Sequence, residues 1–237
     1  MNELYLRTGM LLSDECINRL RNSHVILFGL GGVGSFTAEA LCRCGVGSLT
    51  LVDSDCVADS NRNRQLFALT STVGKKKTEV AKQRLLDINP ECKIYTSDTF
   101  VLPDNAESFF DTHYDYIADA IDTVSAKLSL VEIANNKNIP IISCMGTGNK
   151  LDASRLQISD IKKTSVCPLC RVMRRELKER NISSLCVVWS DETPIKPAAT
   201  SEESSKRSVP GSISFVPSTA GLLMANKIIL DLAGVKL

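Results

Sequence analysis

Gly29-Leu30-Gly31-Gly32-Val33-Gly34 fits the pattern G-x-G-x-x-G and directly follows the apolar run His24-Val25-Ile26-Leu27-Phe28. Glycines at these spacings let the backbone turn tightly and approach a phosphate closely, while the amides at the start of the following helix attract the anion. Asp53 ends the next apolar run about 20 residues on, where a carboxylate can accept bonds from ribose hydroxyls. The loop alone predicts a nucleotide without saying which. Downstream lie Asn61-Arg62-Asn63-Arg64-Gln65, then Val73-Gly74-Lys75-Lys76-Lys77, then Asp119-Ala120-Ile121-Asp122. A hydride-transfer site has no use for an arginine, a lysine and a second acid near the diphosphate. Cleavage of a triphosphate does, because cations must meet the charge building on the phosphates and a carboxylate must hold magnesium. Taken singly, Asp53 and Asp122 could cap helices, Arg64 could form a structural ion pair, and Lys75 to Lys77 could be a solvated face.

The elements that must hold these groups follow from the hydrophobic pattern. His24 to Phe28 reads as a buried parallel strand, Ser35 to Cys44 as a closely packed helix, and Ser48 to Asp53 as a second strand. An amphipathic leader (Leu11, Leu12, Cys16, Ile17, Leu20) precedes them. Val73 to Ile88 reads as a helix stopped by Asn89-Pro90. Strands at 92–97, 114–118 and 139–144 then alternate with helices at 105–110 and 125–136. This rhythm predicts an α/β fold with a Rossmann-like, doubly wound, mainly parallel sheet. Short strands at 155–159, 185–189 and 213–216, with helices at 170–178 and 218–232, are expected to extend that sheet. The expectation is therefore one domain over 1–237, with a nucleotide-binding part at about 7–148 and a substrate-side part at about 149–237. The Pro, Ser, Thr, Glu and Lys-rich stretch 193–211 is expected to be a mobile surface loop.

Composition bounds the alternatives. The chain has 237 residues, 43% apolar and 23% charged, with a net charge of +1. Those fractions argue against global disorder and coiled coil, and the balanced charge against a surface that grips nucleic acid everywhere. No apolar run approaches the roughly 18 to 20 residues of a membrane span, and Met1 to Arg7 has no apolar signal region. The expected address is cytoplasmic, with no membrane. Nine scattered cysteines are an odd number, which predicts reduced thiols rather than a disulfide framework.

Arg7, the glycine loop, Asp53-Ser54-Asp55, Asn61, Arg64-Gln65, Lys77 and Asp122 occur in the order seen in adenylating enzymes. On these residues the chain resembles the ThiF/MoeB/HesA family related to ubiquitin-activating enzyme. The resemblance implies ATP and Mg2+ as cofactors. Gly29, Gly31, Gly32, Gly34, Asp53, Asn61, Arg64, Gln65 and Lys77 would bind ATP, with Asp53 on the ribose and Asn61, Arg64 and Lys77 on the phosphates. Asp122 would hold the magnesium, and Arg7 would complete a partner subunit's site in a homodimer, so that Arg64, Lys77, Asp122 and Arg7 form the catalytic set. Within the family, Asn89-Pro90-Glu91-Cys92, Asp119 to Thr123, Gly146-Thr147-Gly148, Val187 to Glu192 and Gly211 to Pro217 are similar to the bacterial dehydratases of tRNA threonylcarbamoyladenosine. That likeness implies ATP-dependent, ligase-like activation of a carboxylate carried by tRNA, followed by ring closure. Its rivals are an adenylyltransferase for a ubiquitin-like sulfur carrier, which would bring a sulfur-transfer partner protein, and a nucleotide-sensing RNA-binding protein that catalyses nothing.

Two further patterns bear on the choice. Cys167-Pro168-Leu169-Cys170 has metal-ligand spacing, but no second pair completes a tetrahedral site, so zinc is not expected and the pair reads as core thiols at a helix start. Cys144 and Cys186 lie in apolar runs that should raise a thiol pKa and suppress reactivity. Arg171, Arg174, Arg175 and Lys178 fall on one helical face at i, i+3, i+4 and i+7. That stripe could meet the phosphates of a tRNA stem or simply face solvent.

Overall fold

A computed structural model describes residues 3–196 and 210–236. Most of the loop expected at 193–211, together with Lys206 and Arg207 in it, lies outside the described residues. Seven strands form one sheet: β1 (His24–Phe28), β2 (Ser48–Val52), β3 (Lys93–Ser97), β4 (Tyr116–Asp119), β5 (Ile141–Cys144), β6 (Leu156–Asp160) and β7 (Cys186–Ser190). Their order is β3-β2-β1-β4-β5-β7-β6. Every pairing is parallel except β6 with β7, whose antiparallel ladder runs from Leu156–Ser190 to Asp160–Cys186. The C-terminal strands thus extend the sheet, as their pattern predicts. Strand order reverses between β1 and β4, which opens a crevice at their carboxyl ends.

Helices cover both faces: α1 (Leu6–Gly9), α2 (Asp14–Asn22), α3 (Gly34–Arg43), α4 (Lys77–Ile88), α5 (Val124–Lys137), α6 (Pro168–Glu179) and α7 (Phe215–Ala233). On one face Leu27, Leu49 and Leu51 meet Leu41 of α3, Leu85 of α4 and Met224 of α7. On the other, Ile26, Phe28 and Ile117 meet Leu130 of α5 and Phe110. Beyond them α6 buries Cys170, Met173 and Leu177 with Val187 and Trp189 of β7.

Four expectations need correction. The leader helix starts only at Asp14, where the Ser13 hydroxyl caps it by accepting from the Cys16 amide; Leu11 lies outside it and is 89% exposed. The helix expected from Val73 starts at Lys77, because Gly74 sits at φ +85° and the chain before α4 makes a bridge between Lys76 and Cys56. Residues 106–110 form a 3-10 turn rather than an α-helix.

The fourth concerns residues 213–216, expected as a strand. Phe215 and Val216 instead open α7, which tolerates Pro217 in its first turn, where an amide has no helical partner anyway. With 19 residues and a mean hydropathy of 1.2, α7 also has the length and composition of a membrane-crossing helix, contrary to the expectation that no apolar run comes near one. It packs along α3 and under β5, burying Val216, Ala220, Met224 and Ile228 at intervals of four. A methyl group on Gly221 would strike the Val33 carbonyl oxygen, so glycine is what lets α7 lie against the chain entering α3.

Candidate adenylation site

A cleft of about 610 Å³ lies at the carboxyl edge of the sheet, across the β1/β4 reversal. The glycine loop forms its floor. Gly29 adopts φ +90°, and a side chain there would collide with the Ala120 carbonyl. A Cβ on Gly34 would run into the Gly29 carbonyl oxygen, so both positions need glycine for the turn itself. Gly31 is different. A Cβ there would meet nothing closer than Gln65 Nε2 at 3.9 Å, so the missing side chain leaves its backbone open to the cleft.

Asp53, one residue past β2, braces this floor. Its Oδ2 accepts from the Leu30 amide at 2.7 Å and its Oδ1 from the Asp55 amide at 2.9 Å. Lys77 begins α4 and is 5% exposed. Its ammonium donates to Asp55 Oδ2 at 2.7 Å and lies 3.8 Å from Asp53 Oδ1. Two carboxylates hold the buried lysine, and the exposed Asp55 is the partner that can yield to a more strongly charged anion. Arg64 follows a 3-10 turn at 59–61, with its guanidinium on the Ser60 carbonyl at 3.0 Å and the Asn63 side chain at 2.9 Å. Asn61 Oδ1 accepts from the Ala58 amide and fixes the turn. Gln65 is buried beneath Gly31, while Asp122 stands exposed on the opposite rim, just ahead of α5.

Gly29, Gly31, Gly32, Asp53, Asn61, Arg64, Gln65, Lys77 and Asp122 therefore converge on one cleft. Gly34 is the first residue of α3 and shapes the turn from behind. Arg7 is exposed in α1 and does not line the cleft of its own chain. The basic stripe is divided. Arg174 turns inward to the hydroxyl and carbonyl of Thr164, Arg175 is exposed but pairs with Glu176 at 2.7 Å, and Arg171 and Lys178 are exposed.

Sequence reasoning missed the places of four residues at the site. Lys127 and Asp119 are fully buried and paired at 2.9 Å, and Lys127 also donates to the Cys144 carbonyl at 2.8 Å. That link ties the ends of β4 and β5 under the cleft. Lys150, which donates to the Gly146 carbonyl at 2.7 Å, forms the far wall with residues 146–149. Cys167 also lines the cleft. Burial pushes the Cys144 thiol up to about 12 and also raises Cys186, as their apolar runs predict. The Cys167 thiol moves the other way, held down by hydrogen bonds from Cys170. The Cys-x-x-Cys spacing was the available signal, but nothing in it shows that one thiol faces the nucleotide cleft.

Comparison with known proteins agrees with this geometry. The family model described as "ThiF family" matches residues 5–236. The chain belongs to the ThiF family. Within it, the chain is 42% identical over 238 residues to the tRNA threonylcarbamoyladenosine dehydratase of Bacillus subtilis, covering 96% of this chain and 94% of the relative. It is 36% identical to the Haemophilus influenzae protein of the same name, covering 93% and 90%. Among solved structures, the E. coli tRNA N6-threonylcarbamoyladenosine dehydratase in complex with ATP superposes with a TM-score of 0.87 at 32% identity, covering 96% of this chain and 93% of that one. The expected α/β fold and the resemblance to the ThiF family both hold.

Proposed function

We propose that the protein is an ATP-dependent dehydratase that activates the carboxylate of threonylcarbamoyladenosine in tRNA by adenylation and lets it cyclise. The observation that carries this reading is the convergence of the open Gly31 backbone, Asp53, Arg64, Lys77 and Asp122 on one cleft at the β1/β4 reversal. Similarity to dehydratases of that name over nearly the whole chain supports the substrate class. The chain reads as one adenylating unit, with residues 7–148 on the nucleotide side and 149–237 on the acceptor side. A tRNA acceptor fits the expected cytoplasmic address.

In this mechanism the glycine-loop amides and the start of α3 hold the phosphates, and Asp53 holds the ribose while bracing the loop. The acceptor carboxylate attacks the α-phosphorus, and pyrophosphate leaves. Arg64 and Lys77 meet the charge that builds on it, Lys77 exchanging Asp55 for phosphate oxygens. The donor set fits magnesium as such sites usually take it, through one or two carboxylates plus the substrate's phosphates, and Asp122 is the residue to hold it. The ion would neutralise phosphate charge there. The acyl adenylate is then consumed by the carbamoyl group of the same nucleoside, which closes the ring and releases AMP. Proximity of that internal nucleophile makes a protein nucleophile unnecessary. Arg7 is read as an arm into the cleft of a second copy, which makes the active species a homodimer. Pyrophosphate release should depend on tRNA carrying threonylcarbamoyladenosine. Release driven instead by a ubiquitin-like sulfur carrier protein would overturn the substrate assignment.

A further inference from the structure

Cys167-Pro168-Leu169-Cys170 places two thiols at the start of α6, Cys167 as the N-cap and Cys170 in the first turn. Residues three apart at a helix start lie within the roughly 4.4–6.8 Å between Cα atoms that a disulfide spans. The Cys167 sulfur accepts from the Cys170 thiol and from the backbone amides of Cys170 and Gly146. It also feels the ammonium of Lys150, itself anchored 2.7 Å from the Gly146 carbonyl. Those donors and the positive end of α6 hold the Cys167 thiol well below its ordinary value. Cys170 moves in the opposite direction, raised by its bond to Cys167 and by burial, with Arg174 opposing. Of the two thiols, Cys167 is the more readily deprotonated. Although only 2% exposed, Cys167 lines the nucleotide cleft, so a small reagent can reach it by the route a nucleotide takes. The adenylation mechanism uses neither thiol.

We propose that Cys167 and Cys170 form a redox-active dithiol that exchanges with low-molecular-weight disulfides of the glutathione class, Cys167 attacking and Cys170 resolving. In the first step the Cys167 thiolate forms a bond to one sulfur of the small disulfide, and the other sulfur leaves as a thiolate. In the second, Cys170 gives up its proton and displaces the bound half, closing the Cys167–Cys170 disulfide. The small disulfide is reduced to two thiols, and the protein pair is oxidised by two electrons. Closure removes a thiolate from beside Lys150 and the Gly146 amide, so the acceptor wall of the cleft registers the change. The inference is independent of the substrate assignment and is tested without it.

The full-length protein is used with Cys56→Ser, because Cys56 is the exposed cysteine among the described residues. Incubation with oxidised glutathione, acid quench and peptide mass mapping should show Cys167 joined to Cys170 with the loss of two hydrogens. Cys170→Ser should stop at a mixed disulfide on Cys167, and Cys167→Ser should give neither product while keeping its circular dichroism spectrum. Iodoacetamide near pH 6.5 should alkylate Cys167 on the order of ten-fold faster than Cys144. A pair that stays reduced in excess oxidised glutathione, or a Cys170→Ser variant that takes no glutathione at Cys167, overturns the proposal.

Discussion

Asp119 and Asp122 stand in one four-residue stretch, and burial separates their work. Asp119 ends β4 without solvent exposure and its Oδ2 accepts from the Lys127 ammonium, while Asp122 is exposed on the cleft rim. A carboxylate locked into a buried ion pair serves the fold, and an exposed one on the cleft rim can serve the proposed chemistry there. Asp122→Ala should therefore lower ATP-dependent pyrophosphate release about 100-fold or more while shifting unfolding free energy by no more than about 0.5 kcal/mol. The two are read by a coupled pyrophosphate assay and by urea denaturation, and normal turnover would remove Asp122 from the catalytic set. At this scale the sequence was informative where residue type and spacing both carry the chemistry, as in the glycine loop, Asp53 and Lys77. It was silent on Lys127 and Lys150, and it read Cys167 only as a core thiol, because their places depend on which face of a helix or which loop wall meets the cleft.

Elements were legible where hydrophobic period and punctuation agree. All seven strands of the sheet coincide with apolar or alternating runs, and α5 falls within a residue or so of its expected 125–136 span. Misreadings cluster where tertiary context overrides local pattern, as at Phe215 and Val216, whose β-favouring side chains serve the first turn of α7. Lys127 is the clearest case of a residue whose element was legible and whose environment was not. It lies on the buried side of α5 and joins that helix to β4 and β5 through Asp119 and the Cys144 carbonyl. Lys127→Met should cost about 3–5 kcal/mol, because it leaves the Asp119 carboxylate in the interior without a countercharge, with only the Ile121 amide on its Oδ1. Adding Asp119→Asn should recover part of that loss, giving a coupling energy of about 1 kcal/mol or more in a urea-denaturation cycle. Additive losses would mean that the two groups stabilise the sheet independently.

At the scale of the whole molecule, the two sets of cations outside the cleft make separable claims. Arg7 sits in an exposed N-terminal turn of its own chain, so a catalytic role requires a second copy. Mixing Arg7→Ala with Asp122→Ala should restore part of the activity, because some heterodimers then contain one intact composite site; no rescue despite confirmed subunit exchange would make Arg7 structural. The basic face of α6 concerns the acceptor instead. Its charge pattern alone left phosphate binding and solvation open, and the structure changes the test by withdrawing Arg174 to Thr164 and pairing Arg175 with Glu176. Arg171 and Lys178, exposed like Arg175 but outside its ion pair with Glu176, are the residues through which RNA binding would act, along a helix that also carries Cys167 at the cleft. Reversing both to Glu should weaken tRNA binding and reduce the log-log salt slope by roughly 0.7 to 0.9 for each phosphate that is no longer neutralised. ATP affinity should stay the same, since neither residue lines the cleft. Arg174→Ala should instead lower stability, by about 1–3 kcal/mol for the buried acceptors it leaves unmet, with the salt slope unmoved. If the double reversal changes neither tRNA affinity nor its slope, the α6 face is a solvated surface and RNA recognition lies elsewhere on the molecule.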